Sequence, residues 1–155
     1  MAGCMIDEKL IELGIILPDP PTPAGAYMPV IVADGMAFVS GQIPMLDGRV
    51  KYTGKVGESN ISTAKESAKL CAVNILAQLQ KELGSLEKIK RIVRINGFVN
   101  SEPGFKSHPN VIDAVSDFFY EILGERGRHS RLAVGVMSLP LDAMTEVDAI
   151  VQIHT

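Results

Sequence analysis

Four groups able to carry positive charge, Arg126, Arg128, His129 and Arg131, fall within six residues of one another. Most such runs are solvated loops, but Arg131 lies inside an alternating strand pattern. Leu132, Val134 and Val136 take one face and leave Arg131, Ala133 and Gly135 on the other. A planar guanidinium flanked only by Ala and Gly has room to hold a small carboxylate through two parallel hydrogen bonds. Further on, Glu146 and Asp148 share a face opposite Val147, Ala149 and Val151, offering an acid to meet Arg131 or its ligand. The competing explanation for this pair is a salt bridge between subunits. A third feature is Ser40-Gly41-Gln42-Ile43-Pro44, where a glycine between strand and proline either marks a bulge or lets the backbone closely approach a ligand or another chain.

Other chemistries lack their residues. Gly48 to Lys55 resembles a phosphate loop but has one residue too many between its glycines, and Val56 stands where a hydroxyl is needed. There is no GxSxG elbow and no redox-cofactor fingerprint. His108, His129 and His154 are scattered, without cysteines or carboxylates at ligand spacing, so neither a metal nor a cofactor is expected. Cys71 lies in an apolar helical stripe and reads as packing.

The elements that must position these residues are legible in order. Ile6, Leu10, Ile11 and Leu13 predict a short amphipathic helix stopped by Gly14, and prolines 18, 20, 21 and 23 predict an extended strap. Met28 to Ala33 and Met36 to Ser40 flank Asp34-Gly35, the signature of a tight hairpin. Residues 62 to 83 carry the stripe Ala64, Ala68, Cys71, Ala72, Ile75, Leu76, Leu79 and Leu83, with Thr63 and Glu66 spaced as a capping box and Gly84 behind it. Ile89 to Asn100 reads as a strand whose positive charges form a solvated face. Pro109-Asn110 opens a helix through Ile112, Val115, Phe118, Phe119, Ile122 and Leu123, ending at Gly124. Strands at Ser130 to Val136 and Glu146 to Ile153 follow. This order fits an α+β two-layer fold with a mixed sheet and two main helices on one face. Its other face then requires cover, which copies of the same chain would supply.

At 155 residues, with 46% hydrophobic and 21% charged residues, the chain is long enough to bury a sizeable core. A net charge of -3 gives no general excess of cations for a nucleic-acid backbone. Two cysteines, Cys4 and Cys71, make no disulfide framework, and the acidic N-terminal segment is unlike a signal peptide, so a cytoplasmic protein without membrane contact is expected.

The strings Gly25-Ala26-Tyr27, Val39-Ser40-Gly41-Gln42-Ile43-Pro44, Ser130-Arg131 with Val134-Gly135-Val136 and Leu139-Pro140, and Glu146-Val147-Asp148-Ala149-Ile150 occur in the order seen in the Rid proteins, also called the YjgF or L-PSP endoribonuclease-like family. The resemblance covers residues 24 to 154. Residues 1 to 155 are then one Rid-like domain, with the helix and strap of residues 1–23 preceding the family core, as in a longer-chain subgroup. The resemblance implies a chorismate-mutase-like fold, a homotrimer, and ligand sites in clefts between subunits. It further implies a cofactor-independent enamine/imine deaminase, hydrolysing 2-aminoacrylate-derived imino acids to 2-keto acids and ammonia. By position Arg131 matches the family's carboxylate-binding arginine, Glu146 the acid that orients water, Tyr27 an aromatic wall and Gly41 a backbone contact. Ala133 replaces a common cysteine in the binding site, and Ile112 replaces a common asparagine. Those two departures leave a non-catalytic binder or sensor of small carboxylic metabolites as the alternative function. A ribonuclease or translation inhibitor is disfavoured because Lys88, Lys90, Arg91 and Arg94 lack interleaved aromatic residues for base stacking.

Overall fold

The computed structural model of the protein describes residues 5–23 and 25–155. Cys4 lies outside them. Helix α1, Met5–Glu12, buries Ile6 and Leu10, and Gly14 turns the chain at φ 69°. The described strap residues that follow have no helix or strand, as their prolines dictate. Strands β1, Val30–Ala33, and β2, Met36–Gln42, pair across Asp34 and Gly35, both at positive φ, which matches the right-handed twist of a two-residue hairpin. A small hairpin of β3, Met45–Leu46, and β4, Arg49–Val50, comes next and is too short to leave a periodic signal.

Helix α2, Ile61–Leu83, follows the predicted stripe and ends on Gly84 at φ 80°, whose N–H donates to the carbonyl of Gln80. Its start differs from expectation. A single 3-10 turn over Glu58–Asn60 leads into the helix, and Asn60 Oδ1 accepts from the Gly57 N–H at 2.9 Å, so the Thr63–Glu66 capping box is not formed. Strand β5, Ile89–Asn100, helix α3, His108–Leu123, and strands β6, Ser130–Val136, and β7, Thr145–Ile153, complete the chain.

The main sheet has the order β1-β2-β7-β5-β6, antiparallel except for the parallel β5–β6 pair that α3 connects. Its helix-facing side carries Ala37 and Val39 of β2, Ile92, Ile95 and Val99 of β5, and Val147 and Val151 of β7, all buried in the hydrophobic core. The core is close-packed where β5 passes under α3. A methyl on Gly97 would lie 2.7 Å from both Cδ1 and Cγ1 of the fully buried Ile112. Ile112 is therefore a core residue seated on a glycine, which explains the apolar side chain at a position where the family resemblance suggested an amide. The far side of the sheet is open and partly apolar, with Ile31, Phe38 and Val134 at 50%, 45% and 41% exposure.

Candidate functional site

Two separate clusters gather the residues singled out in the sequence. The first forms where β2 leaves regular register. The β2–β7 pairing shifts between Val39 and Gln42, and in that bulge Gly41 passes so close to Glu146 that a Cβ would stand 2.4 Å from Glu146 Oε1. The bulge reading of Gly41 holds, and the group that its bare backbone admits is the Glu146 carboxyl of the same chain rather than a ligand or another chain.

Glu146 is aimed by alternation along β7. Its neighbour Thr145 is buried against α2, with its hydroxyl 2.7 Å from Ser67 Oγ, so Glu146 points to the open face of the sheet. There it lines a cavity of about 330 Å³ together with Tyr27, Gly41, Pro140 and Leu141. Among the described residues no hydrogen bond reaches its carboxylate. Burial, and secondly the neighbouring Asp148, raise its pKa above the usual glutamate value. Asp148 is raised as well, mainly by burial, with a partial offset from the Asn96 amide that donates to it at 2.8 Å.

The second cluster holds Arg131. Its guanidinium points into the helix layer and donates from Nη1 to Ser116 Oγ at 2.9 Å and from Nη2 to Asp113 Oδ1 at 2.8 Å and to the Pro109 carbonyl at 3.3 Å. His129 Nε2 lies 2.9 Å from the same Ser116 oxygen, and its Nδ1 lies 2.6 Å from the Gly127 carbonyl. Burial lowers the His129 pKa, with the Arg131 charge adding to the effect, so a neutral ring donating from Nδ1 fits the network. Ala133 is half-buried against the core on the same face as Arg131.

Tyr27, Gly41 and Glu146 therefore stand together, whereas Arg131 and Ala133 occupy the opposite side of the sheet. Within one chain Glu146 does not meet Arg131, because the strand register puts the two side chains on different faces, so the two could come together only between copies, as in the cleft that the family resemblance implies. The free space expected beside Arg131 at Gly135 is also absent: His108 Nε2 and Ser101 Oγ fill it, each 2.4 Å from where a Cβ would stand. Cys71 is packing as read, its thiol pushed up to about 12 by burial and 3.3 Å from the Thr145 hydroxyl.

Sequence reasoning missed Asp113 and Ser116 as partners of Arg131. Their signal was present, two hydrogen-bonding side chains three apart on one helix face. An aspartate on the guanidinium competes with any incoming carboxylate. Asp113→Asn should therefore tighten binding of a small 2-keto acid to Arg131 several-fold, read by calorimetry. An unchanged or weaker affinity would mean that Arg131 is not the anchor.

Among the described residues no helix is long and apolar enough to cross a membrane. The family described as "YjgF/chorismate mutase-like, putative endoribonuclease" matches residues 7–153 of the chain. Protein TCP17 of Trypanosoma cruzi is 38% identical over 156 residues, covering 99% of this chain and 98% of its own. A solved structure from Agrobacterium tumefaciens shares 44% identity with a TM-score of 0.89, over 97% of this chain and 94% of that one. The 2-iminobutanoate/2-iminopropanoate deaminase of Dermatophagoides farinae is 26% identical over 140 residues, covering 90% of this chain and 95% of its own.

Proposed function

Since the chain belongs to the YjgF, or Rid, family of chorismate mutase-like proteins, we propose that it hydrolyses 2-imino acids to 2-keto acids in clefts between subunits of a homotrimer. The observation that carries this reading is the Glu146 carboxylate, half-buried in a cavity, without a hydrogen-bond partner among the described residues, and with a raised pKa. A carboxyl group in that condition is suited to take a proton from water near neutral pH.

The reaction asks little of the protein. A 2-imino acid presents a carboxylate and an electrophilic carbon already prone to attack. Arg131 of one copy holds the carboxylate, and Glu146 of a neighbouring copy orients a water against the carbon and accepts its proton. Collapse of the carbinolamine releases ammonia and leaves the keto acid, so that one imine and one water become one keto acid and one ammonia.

The exposed apolar residues on the open sheet face support assembly of copies, because Ile31, Phe38 and Val134 would otherwise remain in water. The alternative is a non-catalytic carboxylate binder, which rests on Ala133 and Ile112, the two departures from the site residues of the family. Measuring keto acid release from freshly generated imines, above the spontaneous rate, decides between them. Turnover carried by a sedimenting trimer supports the enzyme. Keto acid binding without turnover supports the binder, and a stable monomer at micromolar concentration would remove the shared cleft.

A further inference from the structure

The cavity beside Glu146 is walled mainly by apolar groups: Pro21 and Pro23 of the strap, Tyr27, Ile43 and Met45 beyond the bulge, and Leu141 before β7. Two features show that these walls are fixed in place. Gln78, buried in α2, donates from Nε2 to the Pro21 carbonyl at 3.0 Å and to Gln42 Oε1 at 3.3 Å, tying the strap to the bulged strand. Leu141 and Asp142 both adopt positive φ, 55° and 59°. Asparagine and aspartate tolerate that conformation, but a leucine gains no local hydrogen bond from it.

The turn persists because it is clamped. Asn100 Nδ2 donates to Asp142 Oδ1 at 3.2 Å and to the Ala143 carbonyl at 3.1 Å, and the Gly54 N–H donates to the Asp142 carbonyl at 2.8 Å. The result is a strained leucine, 70% exposed, standing at the edge of the cavity that holds the acid. The amides on the same cavity are already committed: Gln42 Nε2 donates to the Ser40 carbonyl and hydroxyl, and Gln78 is bound as described. Apart from Glu146, which the proposed reaction occupies with water, and the Thr22 and Tyr27 hydroxyls, a charged substrate side chain would find no uncommitted polar side chain there.

We infer that this cavity receives the side chain of the imino acid, and that the preferred substrates carry a bulky apolar one, branched aliphatic or aromatic. The inference rests on the imine-hydrolase reading and adds the substrate class. A volume of about 330 Å³ holds roughly ten water-sized groups at about 30 Å³ each. The methyl group of the smallest imino acid would leave most of those walls without contacts.

The test compares imines freshly generated from alanine, leucine, phenylalanine and arginine, each rate taken above spontaneous hydrolysis, with calorimetric binding of the corresponding keto acids as an arm independent of turnover. Leucine- and phenylalanine-derived imines should exceed the alanine-derived one by about tenfold or more in kcat/KM, and the arginine-derived imine should fall below them. Leu141→Gly, which relieves the backbone conformation and removes the apolar edge, should shrink that ratio through KM. A best rate on the alanine- or arginine-derived imine, or a ratio untouched by Leu141→Gly, would overturn the inference and leave imine hydrolysis standing. If no imine is turned over, the proposed function fails. Tighter binding of 4-methyl-2-oxopentanoate and phenylpyruvate than of pyruvate would then still support the cavity assignment, and equal or absent binding of all three would overturn it.

Discussion

Glu146→Gln should lower imine turnover by about 10²- to 10⁴-fold, the range over which a positioned acid or base acts, while ligand affinity survives. The same substitution should hold or raise the thermal unfolding midpoint at neutral pH. The sign follows from linkage: burial and Asp148 raise the folded-state pKa, so the folded chain binds the proton more tightly than the unfolded one. Stability from this group is present when it is protonated and is lost as pH rises from the ordinary glutamate value through the raised one. A neutral amide removes that loss. Turnover has the opposite dependence, because the base works only when ionised, so kcat/KM should climb through the raised pKa. Gly41→Ala offers a second test, since its methyl would force the flexible end of Glu146 aside with little burden on the fold. Full activity in either variant would exclude Glu146 as the base.

Arg131→Lys should raise KM for small imino acids about ten- to a hundredfold, the worth of a hydrogen bond to a charged group at about 1.5–3 kcal/mol. Lysine keeps the positive charge facing Asp113, so folding and assembly should persist. It loses the planar fork, and with it the geometry that a carboxylate needs. The guanidinium makes three hydrogen bonds to its own chain, leaving two of its five N–H groups for a ligand. If the residue served only to hold α3 against β6, the variant would lose thermal stability with KM unmoved.

Much of this architecture was legible because it depends on local rules. Asp34-Gly35 fixes one hairpin, the Ala64 to Leu83 stripe fixes α2, and alternation along Ser130 to Val136 put Arg131, Ala133 and Gly135 on one face. What the sequence left hidden was which face of the sheet each strand turns to the helices. Arg131 and Glu146 each alternate correctly, yet the register pairs Arg131 with Ile95 and Glu146 with Phe98, which face opposite sides of β5. Alternation gives relative faces within a strand and carries no information between strands. The start of α2 was misread for a related reason: Thr63 and Glu66 have capping spacing, but the 3-10 turn lets Asn60 satisfy the entering backbone first. The cavity walls were invisible because they come from remote segments, a strap, a bulge and a strained turn, which only the tertiary fold brings together.

The separation of Arg131 from Glu146 makes the central claim directly measurable, for neither residue can complete the proposed site within its own chain. Arg131→Lys and Glu146→Gln chains, each impaired alone, should be co-expressed and assayed as mixed assemblies. If each site takes its arginine from one copy and its acid from the next, random mixing restores about a quarter of the wild-type sites, and turnover should return to about that fraction. Mixed assemblies no more active than the two variants assayed separately would contradict a site shared between copies.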